Sequence, residues 1–308
     1  MATRTSSTLF PDYTLTANFQ AFASFIENTL VTTGGWVVTT DTGQTLPSAL
    51  AVPTAGNQKK GYRIYRMADT LQSTAPVFMR LDFGSTNVSA TIALGVWITI
   101  GMGSDGAGNI TTILYNGGSS ASPTVGCTGI NSTTQANNCY GSADVNRFTI
   151  AMFIQATNVN YILFFGLERT KDSNGNDTSA GLLFAWRDGS LTNSTLGNTK
   201  SQYLILASGA QPSAEPGWNY ILTSLNPSNT FGGNIGVGLL VHFKANAQQP
   251  GMNFGVTNSS DFTPEVSFPM SIYGATHTYQ HLNAQASSKA IAGTAAFDTS
   301  TRVAMRYD

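Results

Sequence analysis

The most conspicuous chemical motif in the sequence is a G-x-G-x-x-G at Gly101, Gly103 and Gly106, directly after a strand-like run. In dinucleotide-binding proteins these glycines precede a helix, and the N-terminus of that helix holds the pyrophosphate. Here the run Ile110–Tyr115 follows, which is β-branched, aromatic or apolar and ends at an Asn-Gly turn. The motif therefore predicts a β-hairpin with glycines at its tip, and no nucleotide or other cofactor is expected.

Two segments could bind a metal ion. His277 and His281 are four residues apart in "THTYQH", a spacing that lets two histidines share a metal on a helix, but the flanking residues favour a strand or loop and no acidic residue is nearby. The segment "DSNGNDTS" imitates a calcium loop, yet Gly175 occupies its fourth rather than its sixth position and the required Glu is absent. We predict no metal site and a tight turn at Gly175.

Carboxylates could serve a glycosidase, which needs two of them facing each other. The sixteen acidic residues are scattered singly, and four merit inspection: Asp82, Glu168, Asp188 and Glu215. Because Glu168-Arg169 and Arg187-Asp188 flank opposite ends of one predicted hairpin, a surface charge cluster is the simpler interpretation. Motifs of nucleophilic and zinc hydrolases and of P-loops are absent from the sequence, so no catalytic residue is predicted.

The two cysteines, Cys127 and Cys139, lie in one polar segment, "VGCTGINSTTQANNCYG". A disulfide between them would close a short loop and contribute roughly 3 kcal/mol in the chain-entropy model. Two thiols are the alternative, favoured by synthesis in the cytosol and disfavoured if the protein later meets oxidising conditions. Both states stay open, and zinc is excluded because no histidine lies nearby.

The elements that must position these residues are mostly strands. Alternating apolar and polar residues, or short apolar runs between Gly, Asn and Ser turns, predict strands at Trp36–Thr40, Tyr62–Met67, Val77–Phe83, Thr91–Ile100, Ile110–Tyr115, Phe148–Gln155, Tyr161–Arg169, Leu182–Arg187, Tyr203–Ala207, Trp218–Thr223, Gly236–Lys244, Met252–Val256, Val266–Ile272 and Thr301–Tyr307. This many short strands predicts a mainly β protein, an antiparallel β-sandwich of jelly-roll-like type.

One helix is expected, over residues 16–32, because Phe19, Phe22, Ile26 and Leu30 form a single apolar stripe. Such a stripe usually docks on a sheet of the same chain. Residues 1–15 are expected to be an N-terminal arm, and we hypothesise that arm and helix contact a neighbouring subunit through Phe10, Tyr13, Phe19 and Phe22. Residues 16–308 are then one domain without an internal repeat; a domain break near 118–146 is the alternative.

The composition excludes some functions. Charged residues make up 10% of the 308 residues, against about 25% in ordinary soluble proteins, and the net charge is −1. The densest basic patch, "KKGYRIYR", is too small for a nucleic-acid interface, so no nucleic acid is expected as a partner. No apolar run approaches the roughly 18 residues that span a bilayer, and the N-terminus shows no signal peptide. A nearly neutral surface rich in Ser, Thr and Asn favours self-association.

The segments "GYRIYRMADTLQSTAPVFMRLDFGS" and "ALGVWITIGMGSDGAGNITT", over roughly residues 60–115, resemble virion proteins of tailed bacteriophages. The resemblance implies a structural subunit of the tail, baseplate or fibre region, made in the cytoplasm of the host bacterium and located in the virion. Its partners would be other virion proteins and copies of itself. The family implies no catalytic residues, so we expect that the chain is not an enzyme.

Two other functions stay open. A receptor- or carbohydrate-binding β-sandwich would stack sugar rings of a host surface glycan on exposed aromatics, for which the candidates are Trp36, Trp218, Tyr220, Tyr273 and Tyr279. A polysaccharide depolymerase would use a carboxylate pair, with Glu168 and Asp188 as candidates.

Overall fold

The computed structural model describes residues 4–9, 15–88, 91–118, 124–127, 137–156, 159–186, 200–205, 218–226, 235–244, 247–257, 267–281 and 302–308. These residues form three antiparallel sheets and one helical segment near the N-terminus. The predicted antiparallel β-sandwich with an N-terminal helix is therefore confirmed.

The first sheet in the core, called the β2–β6 sheet, follows chain order. Its strands are β2 (Val37–Val38), β3 (Gln58–Arg66), β4 (Phe78–Val88), β5 (Thr91–Ser104) and β6 (Ile110–Tyr115), and β7 (Val125–Cys127) pairs with β5 beyond the end of β6. In strand β4 the alternating apolar and polar residues lie on opposite faces. Met79, Leu81 and Phe83 face the core, whereas Arg80 and Asp82 lie on the other face.

The second sheet, called the β8–β12 sheet, is also built mainly as a meander. Its strands in order are β1 (Arg4–Leu9), β8 (Asn137–Asp144), β9 (Arg147–Ala156), β10 (Val159–Lys171), β11 (Asp177–Trp186) and β12 (Lys200–Ile205). Residues 4–9, expected to be part of an arm, are instead an edge strand that pairs with β8 along its length. Strands adjacent in this sheet are mostly adjacent in sequence, so its described strands lack the Greek-key order of the expected jelly-roll-like type.

The third sheet, called the β13–β18 sheet, was not expected as a separate layer. Its strands in order are β13 (Trp218–Asn226), β14 (Ile235–Lys244), β15 (Ala247–Thr257), β18 (Arg302–Arg306), β17 (Ala275–His281) and β16 (Ser267–Ile272). Every predicted strand overlaps an observed one. Four observed strands were not predicted: β1, β8 and β17, which are rich in polar residues, and β7, which has only three residues.

The helix α1 (Thr16–Glu27) continues into a π-helical turn, Asn28–Thr33, and Gly35 with φ +73° follows its end. Two single 3₁₀ turns lie at Pro47–Ala49 and Thr70–Ser73. The apolar stripe of α1 packs into one core with the facing sides of the β2–β6 and β8–β12 sheets. Within the described residues, no helix is both long and apolar enough to cross a membrane.

The β8–β12 sheet lies between the other two sheets. One of its faces contributes Phe148, Phe165 and Leu167 to the core shared with α1. Its opposite face carries Glu168 and Thr149, which bond to β15 and to the end of β18. Charged groups placed between these layers are therefore the candidates for a functional site.

Candidate functional site

Charged side chains are buried on both faces of the β8–β12 sheet. Arg147, Glu168 and Arg169 are each less than 5% exposed. Glu168-Arg169 was predicted to lie in a surface charge cluster, and this is wrong: the two neighbours point to opposite faces, and each face is covered by another part of the chain. Arg187 and Asp188 lie outside the described residues.

The contact between the β8–β12 and β13–β18 sheets is polar, and we call its central residues the inter-sheet cluster: Arg147, Glu168, Asn253 and Asp308. Glu168 on β10 accepts hydrogen bonds from the backbone N–H groups of Met252 and Asn253 on β15, at 2.8 and 2.9 Å. Asn253 returns bonds from its side-chain nitrogen to the carbonyls of Phe148 (3.0 Å) and Leu167 (3.3 Å). These bonds join the two sheets.

The Glu168 carboxylate is pressed against backbone. A Cβ added to Gly251 would lie 2.4 Å from Oε1 of Glu168 and 2.7 Å from Leu182, so glycine is required at this approach. Burial raises the pKa of Glu168 above its usual value, while the two backbone N–H groups and the charges of Lys171 and Arg147 act in the opposite direction. Both carboxylate oxygens thus bond to the protein itself.

Arg147 holds the other end of the inter-sheet cluster. Its guanidinium donates to Ser142 Oγ at 3.0 Å and to the carbonyl of Asp308 at 2.8 Å, and it lies 3.4 Å from the Asp308 carboxylate. Burial lowers the pKa of Arg147 to about 10, which leaves the group charged at neutral pH. Arg147 therefore binds the end of the β13–β18 sheet as a cation.

His277 lies at the rim of this cluster, with Nδ1 2.7 Å from the Asp308 carboxylate. Burial and the neighbouring Arg306 lower the pKa of His277, although Asp308 favours the charged form. The acidic partner that the sequence did not show is thus supplied from another strand. No group of three or more His, Cys, Asp or Glu in the described part of the chain could hold a metal ion, and the side chain of His281 lies outside that part.

Arg169 faces the opposite side, toward the loop between β3 and β4. It pairs with Asp69 through Nε and Oδ2, through Nη2 and Oδ1 at 2.9 Å, and its Nη2 also donates to the carbonyl of Ala75 at 3.0 Å. The Arg169 side chain is 0% exposed and that of Asp69 is 6% exposed. This pair joins the β8–β12 sheet to the β2–β6 sheet.

The carboxylates singled out from the sequence do not come together. Asp82 pairs with Arg80 at 2.6 Å and with Lys59 at 3.6 Å on the far face of the β2–β6 sheet. Glu168 lies between the other two sheets, and Asp188 and Glu215 are outside the described residues. Asp82 and Glu168 therefore do not form with each other the facing pair that glycoside hydrolysis needs.

The predicted docking residues divide into two groups. Phe19 and Phe22 are each 1% exposed in the chain's own core, which corrects the expectation that they contact a neighbouring subunit. Phe10 and Tyr13 lie outside the described residues. The side chain of Cys139 is buried on β8. Since the side chain of Cys127 is not described, the disulfide stays a prediction.

The loops that contain Gly106 and Gly175 are hairpin tips with the same hydrogen-bond pattern. Asp105 accepts from the backbone N–H groups of Ala107 and Asn109 and from the Asn109 side chain. Asp172 repeats this pattern with Asn174 and Asn176. The predictions of a hairpin after β5 and of a turn at Gly175 are confirmed.

Of the carbohydrate-binding candidates whose side chains the structure describes, Tyr273 is the exposed one. Tyr273 occupies the two-residue turn between β16 and β17 with φ +50°, and 42% of its surface is exposed. Its ring covers Gly175 at the β10–β11 tip, where an added Cβ would lie 2.9 Å from the ring. Trp36 and Tyr279 are buried, and the side chains of Trp218 and Tyr220 lie outside the described residues.

The chain matches no protein-family model, no curated protein and no solved structure.

A further cluster of polar side chains was not predicted from the sequence. Lys171, Asp177 and Asn146 meet at one end of the β8–β12 sheet, where Asp177 contacts both of the other side chains. The hairpin pattern could have located Lys171 opposite Asp177, but it gave no sign that the turn between β8 and β9 brings Asn146 to the same place.

Proposed function

We propose that the chain is a structural subunit of a tailed-bacteriophage particle, in its tail or baseplate region, and that it acts through contacts with other virion proteins and with copies of itself. The observation that carries this proposal is the use of the buried charges. Glu168, Arg147 and Arg169 each bond to another sheet or its loop, so they fix the layers relative to one another.

Such bonds favour a role that depends on shape. Breaking a buried charge pair by removing one partner costs about 3–5 kcal/mol, so sliding of one layer over another is strongly opposed. A subunit that must present the same surface to its neighbours throughout the life of a particle benefits from this rigidity. The low content of charged residues further supports association between subunits.

The edge strand β1 is a surface suited to such contacts. Among the described strands it pairs with β8 alone, and Arg4, Ser6 and Thr8 along it are exposed. An edge strand offers unpaired backbone groups to which a strand of a second copy can add. We infer that copies of the chain contact each other here. Deleting residues 1–15 would remove a strand of the sheet, so a point substitution is the better test.

The first test concerns location. Particles are purified from a lysate of host cells that carry the coding sequence, and their peptides are measured by quantitative mass spectrometry. The proposal predicts a fixed number of copies per particle after density-gradient purification. A chain that stays in the soluble fraction and is absent from intact particles contradicts the virion role.

The second test concerns β1. Thr8→Lys places a charge on the edge strand, whereas Ser73→Lys adds the same charge to an exposed 3₁₀ turn and serves as the control. Sedimentation velocity should show that Thr8→Lys weakens self-association by about tenfold, or about 1.4 kcal/mol, and that Ser73→Lys leaves it unchanged. Equal behaviour of the two variants, or a wild-type chain that stays monomeric, contradicts association through β1.

Tyr273 favours a second function, binding of a host surface glycan. Two-residue hairpin turns of this type prefer Asn-Gly, because both central residues have positive φ, and here Tyr273-Gly274 occupies them with φ +50° and +75°. A bulky aromatic at such a position costs free energy, and strained residues of this kind cluster at functional sites. The exposed ring, with Asp172 and Asn174 on the adjacent tip, suits stacking on a sugar.

The turn itself provides the test of glycan binding. Tyr273→Asn installs the preferred turn residue, so thermal stability should be retained or increased while the ring is lost. Tyr273→Phe keeps the ring and is the matched control. On a glycan array, wild type and Tyr273→Phe should bind the same glycans and Tyr273→Asn should not; binding that survives in Tyr273→Asn, or no binding by wild type, rejects this second function.

A further inference from the structure

The polar group at the end of the β8–β12 sheet places an amine, a carboxylate and a primary amide in contact. Lys171 Nζ contacts one oxygen of Asp177, and Asn146 Nδ2 donates to the other. A carboxylate only accepts hydrogen bonds, so the amide atom that faces Asp177 is the nitrogen. One carboxylate thus contacts both an amine and the nitrogen of an amide.

The sheet itself holds these three residues in place. Lys171 ends β10 and pairs in register with Asp177, which begins β11. Asn146 lies in the turn between β8 and β9, and its carbonyl accepts from the backbone N–H of Arg169 at 3.2 Å, which holds that turn against β10. The side chains of Lys171 and Asp177 are 13% and 27% exposed, so the group is partly shielded from water.

We propose that Lys171 and Asn146 become joined by an intramolecular isopeptide bond, with Asp177 as the proton-transfer group. The Lys171 ammonium gives a proton to Asp177, and the neutral Nζ attacks Cγ of Asn146. A C–N bond to Nζ forms and the C–N bond to Nδ2 breaks. Asp177 delivers this proton to Nδ2, which leaves as ammonia. The second proton that Nζ loses on becoming an amide passes to Asp177 and then to the ammonia, which departs as ammonium. One amide replaces another, and no oxidant or reductant is required.

The geometry favours this reaction for two reasons. Lys171 Nζ and the Asn146 amide are held against the two oxygens of one carboxylate. Groups that the fold keeps this near each other behave as if present at a very high concentration, which replaces an encounter with a step inside one molecule. A carboxylate in contact with both nitrogens serves first as base and then as acid, which is the requirement for moving a proton from nucleophile to leaving group. The bond would tie the β8–β9 turn covalently to β10 and restrict the unfolded chain as a disulfide does.

This inference does not rest on the virion role, and it is tested by the intact mass of the full chain under denaturing conditions. Wild type should be lighter than its sequence by one ammonia molecule, and a protease digest should contain a branched peptide joining residues 146 and 171. Lys171→Arg keeps the positive charge beside Asp177 but lacks the amine, so it should show the full mass. The matched control Lys60→Arg should retain the deficit.

Each other outcome overturns the proposal. A wild-type chain of full mass shows that the bond does not form. A deficit of one ammonia that persists in Lys171→Arg assigns the loss to another site, such as a succinimide at an Asn-Gly pair. A deficit of one water molecule shows a bond between Lys171 and Asp177 instead. Because the bond forms only in the folded chain, circular dichroism first establishes that both variants fold, and the mass is then read under denaturing conditions.

Discussion

The pair formed by Asp69 and Arg169 offers the sharpest test of how buried charge stabilises this chain. Arg169 is fully buried, and Asp69 binds it through two contacts. Within the described residues Nη1 of Arg169 has no hydrogen-bond partner, so Asp69 is the group that compensates the charge. Asp69→Ala leaves a buried, uncompensated guanidinium, and the expected loss of unfolding free energy is about 3–5 kcal/mol.

This loss is large enough for a simple assay. The entropy of unfolding is about 2 cal/mol/K per residue, so a 308-residue chain that unfolds as one unit should lose about 5–8 °C in Tm. Urea unfolding followed by tryptophan fluorescence gives the free energy directly, because Trp36 and Trp97 are buried. Lys59→Met is the control: Lys59 is 36% exposed and Asp82 retains Arg80, so the change should stay below about 1 kcal/mol.

The double variant Asp69→Leu/Arg169→Met distinguishes the cause. If the uncompensated charge is responsible, removing both partners should recover most of the stability lost in Asp69→Ala, since apolar replacement of a buried pair is often neutral. A double variant as unstable as the single one, or a single variant that loses less than about 1 kcal/mol, would refute the reasoning from the buried pair.

Three further substitutions test the layers of the fold. Gly251→Ala should lower the unfolding free energy by about 1–3 kcal/mol, because its Cβ would lie 2.4 Å from Glu168 Oε1, and urea unfolding measures the change. Phe22→Ala should cost about 3–5 kcal/mol; an unchanged Tm would contradict its place in the core. Burial raises the folded-state pKa of Glu168. The contribution of Glu168 to the free energy of unfolding is therefore present at low pH and is lost as the pH rises through that pKa. Wild type should therefore gain stability relative to Glu168→Gln as the pH falls toward about 4, and parallel unfolding curves at every pH would contradict this sign.

The strands were predictable where side chains alternate. In β4 the apolar residues Met79, Leu81 and Phe83 share one face, and that alternation is visible in the sequence. Strand β8, "NNCYGSAD", shows no such alternation. It is a strand because it pairs with β1 and β9. β-propensity reflects the fit to neighbouring strands, so a polar segment gains its structure only from partners distant in sequence.

The candidate sites were less predictable than the strands. Glu168 and Arg169 read as surface charges, since a charged pair beside a hairpin is normally solvated. Their partners are Met252 and Asp69, which are separated from them by 84 and 100 positions in the chain. No local pattern reports such a partner, and the prediction failed for this reason.

The order of apolar and polar residues was enough to establish most elements: the strands other than β1, β7, β8 and β17, the helix with its stripe of Phe19, Phe22 and Ile26, and the glycine-rich hairpin tips. It also established which side chains share a face, because the periods of helix and strand are properties of the backbone. The tertiary structure alone decided which faces are covered. Covering the outer face of the β8–β12 sheet with a third sheet turned Glu168 from a solvated charge into a bond between layers, because the free energy of a charge depends on the partners and water around it.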